Sequence, residues 1–479
     1  MKKNRINSNL KISVKDLLFL ISYLFFMTIF FYWAYQNFFN SYISNYEYII
    51  SPWIFGSLFL NIIGYILIFK TPLTEPSLWY VLSSYSFMFG HIFLKIFNLE
   101  TSLIWNPAIY FSQTEMFKGS LYALQSITCI CFGYFVYLSF NKRIEVNFNE
   151  NSKKEPDIKM FNVGFIIFWI GFVCALINYY VVVTSTYNAG TYVAYADVAG
   201  STGLLDDFSY LVIPGSLYIL CSRKWNRQTA KLFTYCICTF FLIIMIFSGS
   251  RKSQLFSILT VLLCYNSLHG KNKNKVSSAF INSILVFLFL NLIYIIREYR
   301  TNLTSIVPEF FSSLISLEFL RKIFGETFAE TGLSMYSVVS VLKYVPSVFQ
   351  YEYGLTFIRS VLSIFPLGSL FPTFFNAGYS TVLINRYTGI PVGSSLIGDF
   401  YWNFGIIGAL VLSFFFGQLL GKIGNIKYKF KDRLPMYFSL LFIIFLCIRA
   451  GLMDIMRPLA IITVIPVVVD SFFSAQYRK

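Results

Sequence analysis

Runs of about 20 apolar residues recur along almost the whole chain, and runs of that length cross a hydrocarbon core as helices. Inside lipid every backbone amide must be bonded within its own segment, so helix is the form these runs take. No alternating strand pattern of barrel type is present. Charged residues make up 13% of the chain against 56% hydrophobic, about half the charge of an ordinary soluble protein. A solvent that is mostly lipid accounts for the deficit.

Twelve spans are predicted, at 17–37, 53–69, 78–97, 120–140, 161–183, 205–222, 232–248, 253–268, 277–296, 395–421, 435–449 and 458–475. The expected fold is therefore all-α: a polytopic integral membrane protein of about 12 transmembrane helices. The first run follows Lys2, Lys3, Arg5, Lys11 and Lys15, as a signal peptide would. Its apolar stretch exceeds an ordinary h-region and no small-residue cleavage site follows, so it is expected to be retained.

Orientation follows from Lys and Arg, which concentrate on the cytoplasmic side. With the N-terminus inside, the seven inward segments hold 25 of the 38 Lys and Arg residues. Seven of the other 13 fall in one segment, 297–394, which is the only long stretch without a clean span. It is expected to be a large outward loop, where basic residues are normally scarce. Positive charge held there points to an anionic ligand. Within it, 355–371 is too short and too broken by Pro366 and Gly368 to span. Such a piece lies in the interface or re-enters, covered by protein or lining a wet cavity.

The chain reads as one membrane domain, 1–479, with a four-helix part at 1–140, a charged cytoplasmic linker at 141–160 and an eight-helix part at 161–479. No internal repeat of the kind found in many secondary transporters is present. The net charge of +16 is mostly a topology signal. A nucleic-acid binder needs its basic residues clustered on one aqueous face, and these sit in short loops, so no nucleic-acid partner is expected. All eight cysteines fall inside predicted spans, which excludes an outward disulfide framework. No metal, P-loop or dinucleotide motif occurs, and no cofactor is expected.

The candidate chemistry is carried by arginines and carboxylates. Ser248-Gly249-Ser250-Arg251 forms a tight polar turn ahead of a helix start, where free amides and the helix dipole favour anions; a plain hairpin turn is the alternative. Arg297 and Arg300 share a helix face at the end of the ninth span. Arg359 lies in an apolar run after Gly354, and Arg386 in a Gly-containing stretch. Arg449, Asp454 and Arg457 occupy the outer turn before the last span, where an Arg449–Asp454 bridge could simply brace the turn. Glu326 and Glu330 are four apart on one helix face, suited to a general base or to an ordinary solvated face. Asp399 opens the tenth span, where a carboxylate is costly and functional by default. Histidine catalysis is not expected, since His91 lies in a span and His269 at an inward turn. Trp105, Tyr110, Tyr187 and Tyr192 could line a ligand groove, although an interfacial aromatic belt is the commoner explanation.

Taken in order, these motifs resemble the O-antigen and oligosaccharide repeat-unit polymerases of bacteria (the Wzy type). The likeness is in particular to the subgroup of the enterobacterial common antigen polymerase. The matching features are Ser248-Gly249-Ser250-Arg251, Arg297/Arg300, Gly354-Leu355 with Arg359 and Pro366, Gly398 with Asn403-Phe404-Gly405, and Arg449-Ala450-Gly451. They cover about 230–475.

The resemblance implies a GT-C-like glycosyltransferase of the bacterial inner membrane with its active site on the periplasmic or exterior face. It would move a growing glycan from undecaprenyl diphosphate to a carrier-linked repeat unit, for O-antigen, capsule or exopolysaccharide synthesis. Arg251, Arg297, Arg300, Arg359, Arg386 and Arg449 are then the expected diphosphate contacts, with Glu326, Glu330 or Asp399 as the acceptor's base. The implied partners are the undecaprenyl-diphosphate-linked oligosaccharide and membrane lipid, with a chain-length regulator and a flippase as candidates. The alternatives are an O-antigen ligase-like glycosyltransferase and a flippase or exporter of lipid-linked oligosaccharide. A flippase needs charge along a path through the membrane, whereas the basic residues here gather at one face.

Overall fold

The computed structural model describes residues 12–39, 43–72, 75–99, 101, 109–141, 156–189, 203–248, 252–269, 317–368, 370–389, 393–429 and 433–476. Among them every regular element is helical. The order begins α1 (Val14–Phe38), α2 (Tyr46–Ile62), α3 (Pro76–Ile96), α4 (Gln113–Phe140), α5 (Ile158–Ala189) and α6 (Leu204–Ser209). It continues with α7 (Val212–Cys221), α8 (Arg227–Ser248), α9 (Lys252–His269), α10 (Leu317–Gly332), α11 (Ser334–Tyr344) and α12 (Leu355–Leu362). The last are α13 (Pro372–Asn376), α14 (Ser380–Thr388), α15 (Leu396–Lys429), α16 (Leu434–Leu446), α17 (Leu452–Leu459) and α18 (Ile465–Gln476). Local chemistry sets several starts: Ser13 caps α1 through the Asp16 amide, and Ser112 with Glu115 forms a capping box on α4.

Eight stretches are long and apolar enough to cross a membrane: Val14–Phe38, Tyr46–Ile68, Gln113–Phe140, Ile158–Ser185, Leu204–Cys221, Arg227–Met245, Leu396–Ile426 and Leu452–Phe473. Each coincides with a predicted span. α3 and α9 are helical at two further predicted positions, and α16 occupies most of 435–449 with only 13 residues. The predicted span at 277–296 lies outside the described residues. The protein is thus an all-helical, multi-pass membrane protein.

The core is apolar, as in a soluble fold, but large apolar residues also cover the outer faces. On α15 the large residues Ile407, Val411, Phe415 and Leu419 are exposed at four-residue spacing. Ala409, Ser413, Gly417 and Gly421 form the parallel stripe on the covered side. Lipid supplies no hydrophobic drive between helices, so association there relies on close backbone contact between small residues. Among the described residues α4 and α15 make the most extensive helix pair. A Cβ on Gly133 would collide with the Phe414 carbonyl, and one on Gly417 with the Ile130 carbonyl. The two helices can approach only because both positions lack a side chain.

Helix ends that the predicted alternation assigns to one side meet one another. At one end Lys15 bonds the Leu67 carbonyl, Tyr134 donates to Glu75 at 3.0 Å, and Lys159 pairs with Asp470 at 2.9 Å. At the other, Lys343 pairs with Glu115 at 3.1 Å, and the Tyr122 hydroxyl donates to the Ile397 carbonyl at 2.6 Å. The α4–α15 seam therefore fixes the height of the start of α15, which carries Asp399, Trp402 and Asn403.

Gly417→Leu is expected to lower the thermal midpoint of the detergent-purified protein by several degrees, since overpacking a tight seam costs about 1–3 kcal/mol. Ile407→Leu, on the exposed stripe, should leave it unchanged. Equal midpoints for the two variants would remove the seam as the organising contact.

Candidate functional site

The site begins with a break in a helix. Gly405 has φ 64° and ψ −168° inside α15, a conformation essentially reserved for glycine. Helical bonding is interrupted there, and the carbonyls of Trp402 and Asn403 accept instead from the amides of Glu352 and Tyr353, each at 3.1 Å. Three side-chain bonds tighten this clamp. The Gly354 amide donates to Asn403 Oδ1 at 2.9 Å, Asn403 Nδ2 donates to Thr356 Oγ1 at 2.6 Å, and Trp402 Nε1 donates to the Gln350 carbonyl at 3.2 Å. Tyr353 and Gly354 turn the chain through the left-handed region, at φ 46° and 90°, and α12 starts immediately afterwards.

α12 has reversed polarity. Thr356, Arg359, Ser360 and Ser363 are buried, while Ile358, Val361, Leu362 and Phe365 are exposed. In water this arrangement would be unstable, because apolar surface would face solvent and polar groups the interior. It is the arrangement expected of a helix whose outer face touches lipid and whose inner face closes a polar centre. The sequence expectation of an interfacial piece at 355–371 corresponds to this helix and the turn after it.

Arg359 is the charged member of the inner face. Its Nη1 donates to Glu352 Oε2 at 2.6 Å and to the Ala377 carbonyl at 3.2 Å, and its guanidinium lies 5.2 Å from the Phe374 ring centroid. Among the described residues Nε has no partner. The group is therefore held by one corner, leaving the Nε/Nη2 edge, the edge that suits two phosphate oxygens. Its charge is balanced by Glu352. Arg251, Arg297 and Arg300, the three strongest sequence candidates, lie outside the described residues.

A second group surrounds the start of α17. Asp399 is buried, its Oδ1 accepting from Ser380 Oγ at 3.1 Å and its Oδ2 from the Leu452 amide at 2.7 Å. It thereby ties α15, α14 and the first turn of α17 together. Asp454 is exposed and accepts from Ser394 Oγ at 2.8 Å and from the Gly451 amide at 3.4 Å. Those are its described bonds, so the Arg449–Asp454 bridge considered from sequence is not the arrangement found. Arg449 is half-buried in the same turn. Arg457 pairs with Asp207 at 3.2 Å and donates through Nε to the Ser363 carbonyl at 3.0 Å, linking α17 to α6 and to the end of α12. Burial pushes the Tyr379 phenol up, with Asp454 and Asp207 adding to the rise and Arg457 opposing it. Tyr379 thus belongs to the same charged group.

The structure brings together Arg359, Arg449 and Asp399 of the sequence candidates around the ends of α12, α15 and α17. Arg386 is exposed in the last turn of α14. Glu326, buried, and Glu330, half-buried, sit on α10, whose main contacts are with α3 and the start of α11. Sequence reasoning did not find Glu352, Asp207, Ser394 or Tyr379. Asp207 was legible as a carboxylate at the edge of a span, but Glu352 carried no local signal. It becomes a partner of Arg359 only through the clamp on the Gly405 break. Among the described residues no three His, Cys, Asp or Glu side chains are grouped as metal ligands.

Comparison with known proteins gives one result. A family model described as O-antigen polysaccharide polymerase Wzy matches residues 17–477, and it does not single out the enterobacterial common antigen subgroup. No curated protein and no solved structure matches the chain. The match runs through almost all of the described helices, including both halves of the broken α15 and the charged group around it. The chain belongs to the O-antigen polysaccharide polymerase Wzy family.

Proposed function

We propose that this membrane polymerase extends a glycan by moving it from undecaprenyl diphosphate onto a carrier-linked repeat unit at the outer face of the bacterial inner membrane. The observation that carries the reading is α12 and the turn after it, with exposed Ile358, Val361 and Phe365 on one side and buried Arg359 on the other. A substrate with an isoprenoid tail and a diphosphate matches both sides of that helix at once. The outward placement rests on the Lys and Arg bias, and it agrees with the absence of any nucleotide motif in the chain.

In this reaction the acceptor hydroxyl attacks the anomeric carbon of the donor glycan. The C–O bond to the diphosphate breaks, and the leaving group departs with its electron pair as lipid diphosphate. The protein's main task is to hold donors where that negative charge grows. The Nε/Nη2 edge of Arg359 is one such donor pair, and Arg251, Arg297, Arg300 and Arg449 are the further arginines assigned to the diphosphate. Arg386, exposed on α14, ranks below them.

A base must take the acceptor's proton. Both oxygens of Asp399 are engaged by Ser380 and Leu452, which suits it to holding the site together. Asp454 is the exposed carboxylate of the same group, and we assign it the proton ahead of Glu326 and Glu330 on α10. Chain-length regulators and flippases fit this reading as partners that set polymer length and deliver the repeat unit.

Purified protein in liposomes, given a lipid-diphosphate repeat unit and no nucleotide, should produce a ladder of longer lipid-linked glycans. Arg359→Lys keeps the charge facing Glu352 but loses the planar edge, so kcat/KM should fall about a hundredfold with the thermal midpoint retained. Failure of the cognate substrate to lengthen, while it crosses the bilayer unchanged, would reject the reading in favour of a flippase. Asp454→Asn should lower kcat by about 10²–10⁴ with the thermal midpoint retained. Asp399→Asn should act chiefly on the thermal midpoint. The reverse pattern would return the base to Asp399.

A further inference from the structure

An open groove of about 420 Å³ lies beside the clamp, and its walls include Phe349, Gln350, Tyr351, Glu352, Tyr353 and Trp402. We propose that it is a saccharide subsite, holding a sugar ring of the glycan next to the diphosphate. The proposal rests on the polymerase reading for the identity of the sugar's carrier.

Four features support it. Besides the aliphatic Val348, Leu355 and Leu383, the walls combine aromatic rings with the hydrogen-bonding side chains of Gln350 and Glu352, and a sugar ring offers C–H faces to the first and hydroxyls to the second. Tyr351 and Tyr353 have ring centroids 6.1 Å apart, and Trp402 forms a fixed floor through its bond to the Gln350 carbonyl. The wall is also pre-organised. Tyr353 is 78% exposed yet held at φ 46°, an unfavourable backbone for a non-glycine residue, by the amide bonds of 352–354 to Trp402 and Asn403. A ligand then meets side chains whose backbone is already ordered, and less freedom is lost on binding.

The other two features concern position. Glu352 lines the groove while its carboxylate bonds Arg359 at 2.6 Å. A ring in the groove is therefore one side chain away from the guanidinium, the separation expected between a sugar and the diphosphate attached to it. Finally, the exposed apolar surface suited to an isoprenoid tail is on Ile358 and Val361 of α12 and on Phe365 just beyond it. The groove, whose wall carries Gln350 and Glu352 among its rings, is left for the glycan.

The test uses full-length protein in nanodiscs and two probes. One is the repeat-unit oligosaccharide released from its carrier by mild acid; the other is undecaprenyl diphosphate without sugar. Binding is read by tryptophan fluorescence and saturation-transfer NMR. Tyr353→Asn removes the ring and tolerates the left-handed backbone; Tyr353→Phe keeps the ring. The oligosaccharide should bind wild type and Tyr353→Phe alike, and Tyr353→Asn about tenfold more weakly. KM in the ladder assay should rise in the same variant, with the thermal midpoint unchanged. Oligosaccharide binding indifferent to both substitutions, in a protein that still makes the ladder, overturns the subsite and leaves the polymerase reading standing. Displacement of the oligosaccharide from the groove by the sugar-free lipid would also overturn it. Tyr353-dependent oligosaccharide binding in a protein that makes no ladder would keep the subsite and sink the polymerase reading.

Discussion

The carbonyls of Trp402 and Asn403 lose their helical partners at Gly405, and groups of that kind at membrane depth must be bonded by something else. The something else is the backbone of Glu352 and Tyr353. Most of the site's geometry descends from that exchange. It fixes the side chain of Glu352, which holds Arg359 by one corner of its guanidinium, and it sets the starting point of α12 directly after Gly354. It also stiffens the aromatic wall of the neighbouring groove. A continuous α15 would satisfy its own carbonyls, and the segment 350–359 would have nothing to dock on.

Lipid as solvent explains the features that look wrong for a soluble protein. Small residues, not large ones, make the closest helix contact, because Gly133 and Gly417 let backbones touch where hydrophobic burial gives no drive. α12 turns Arg359 and three hydroxyl residues inward and its branched and aromatic residues outward. Two cations of the site are matched by carboxylates, Arg359 by Glu352 and Arg457 by Asp207. This fits the rule that a buried charge without its partner is strongly destabilising. On the proposed function, an arriving diphosphate needs positive charge beyond these pairs, and Arg251, Arg297 and Arg300 are the residues assigned to supply it.

The helical, multi-pass architecture was legible from hydropathy because a 20-residue apolar run has few alternatives in a bilayer. Eight predicted spans coincide with helices apolar enough to cross. That 355–371 does not form a span was legible too, since Pro366 and Gly368 interrupt it and its helix ends at Leu362. The site was only partly so. Arg359 and Asp399 stood out because charge in apolar surroundings is rare, and Arg449 because it lies at a span end. Glu352 and Ser394 did not, since nothing local distinguishes them from loop residues. Their roles arise when Gly405 opens α15 and when Gly451 brings the α17 turn against Asp399 and Ser394. Such roles depend on tertiary contact, which hydropathy does not encode. The aromatic candidates Trp105 and Tyr192 lie outside the described residues, whereas Tyr351 and Tyr353, which sequence reasoning did not single out, line the groove with Trp402.

The central claim is that Arg359, held by Glu352 behind a lipid-facing helix, presents its remaining edge to a lipid diphosphate. A cryo-EM structure of the protein in nanodiscs with bound undecaprenyl diphosphate tests it directly. The account predicts phosphate oxygens at hydrogen-bond distance, about 3 Å, from Arg359 Nε and Nη2, with the isoprenoid tail along Ile358, Val361 and Phe365. A diphosphate bound elsewhere, with Arg359 still bonded only to Glu352 and Ala377, would contradict it.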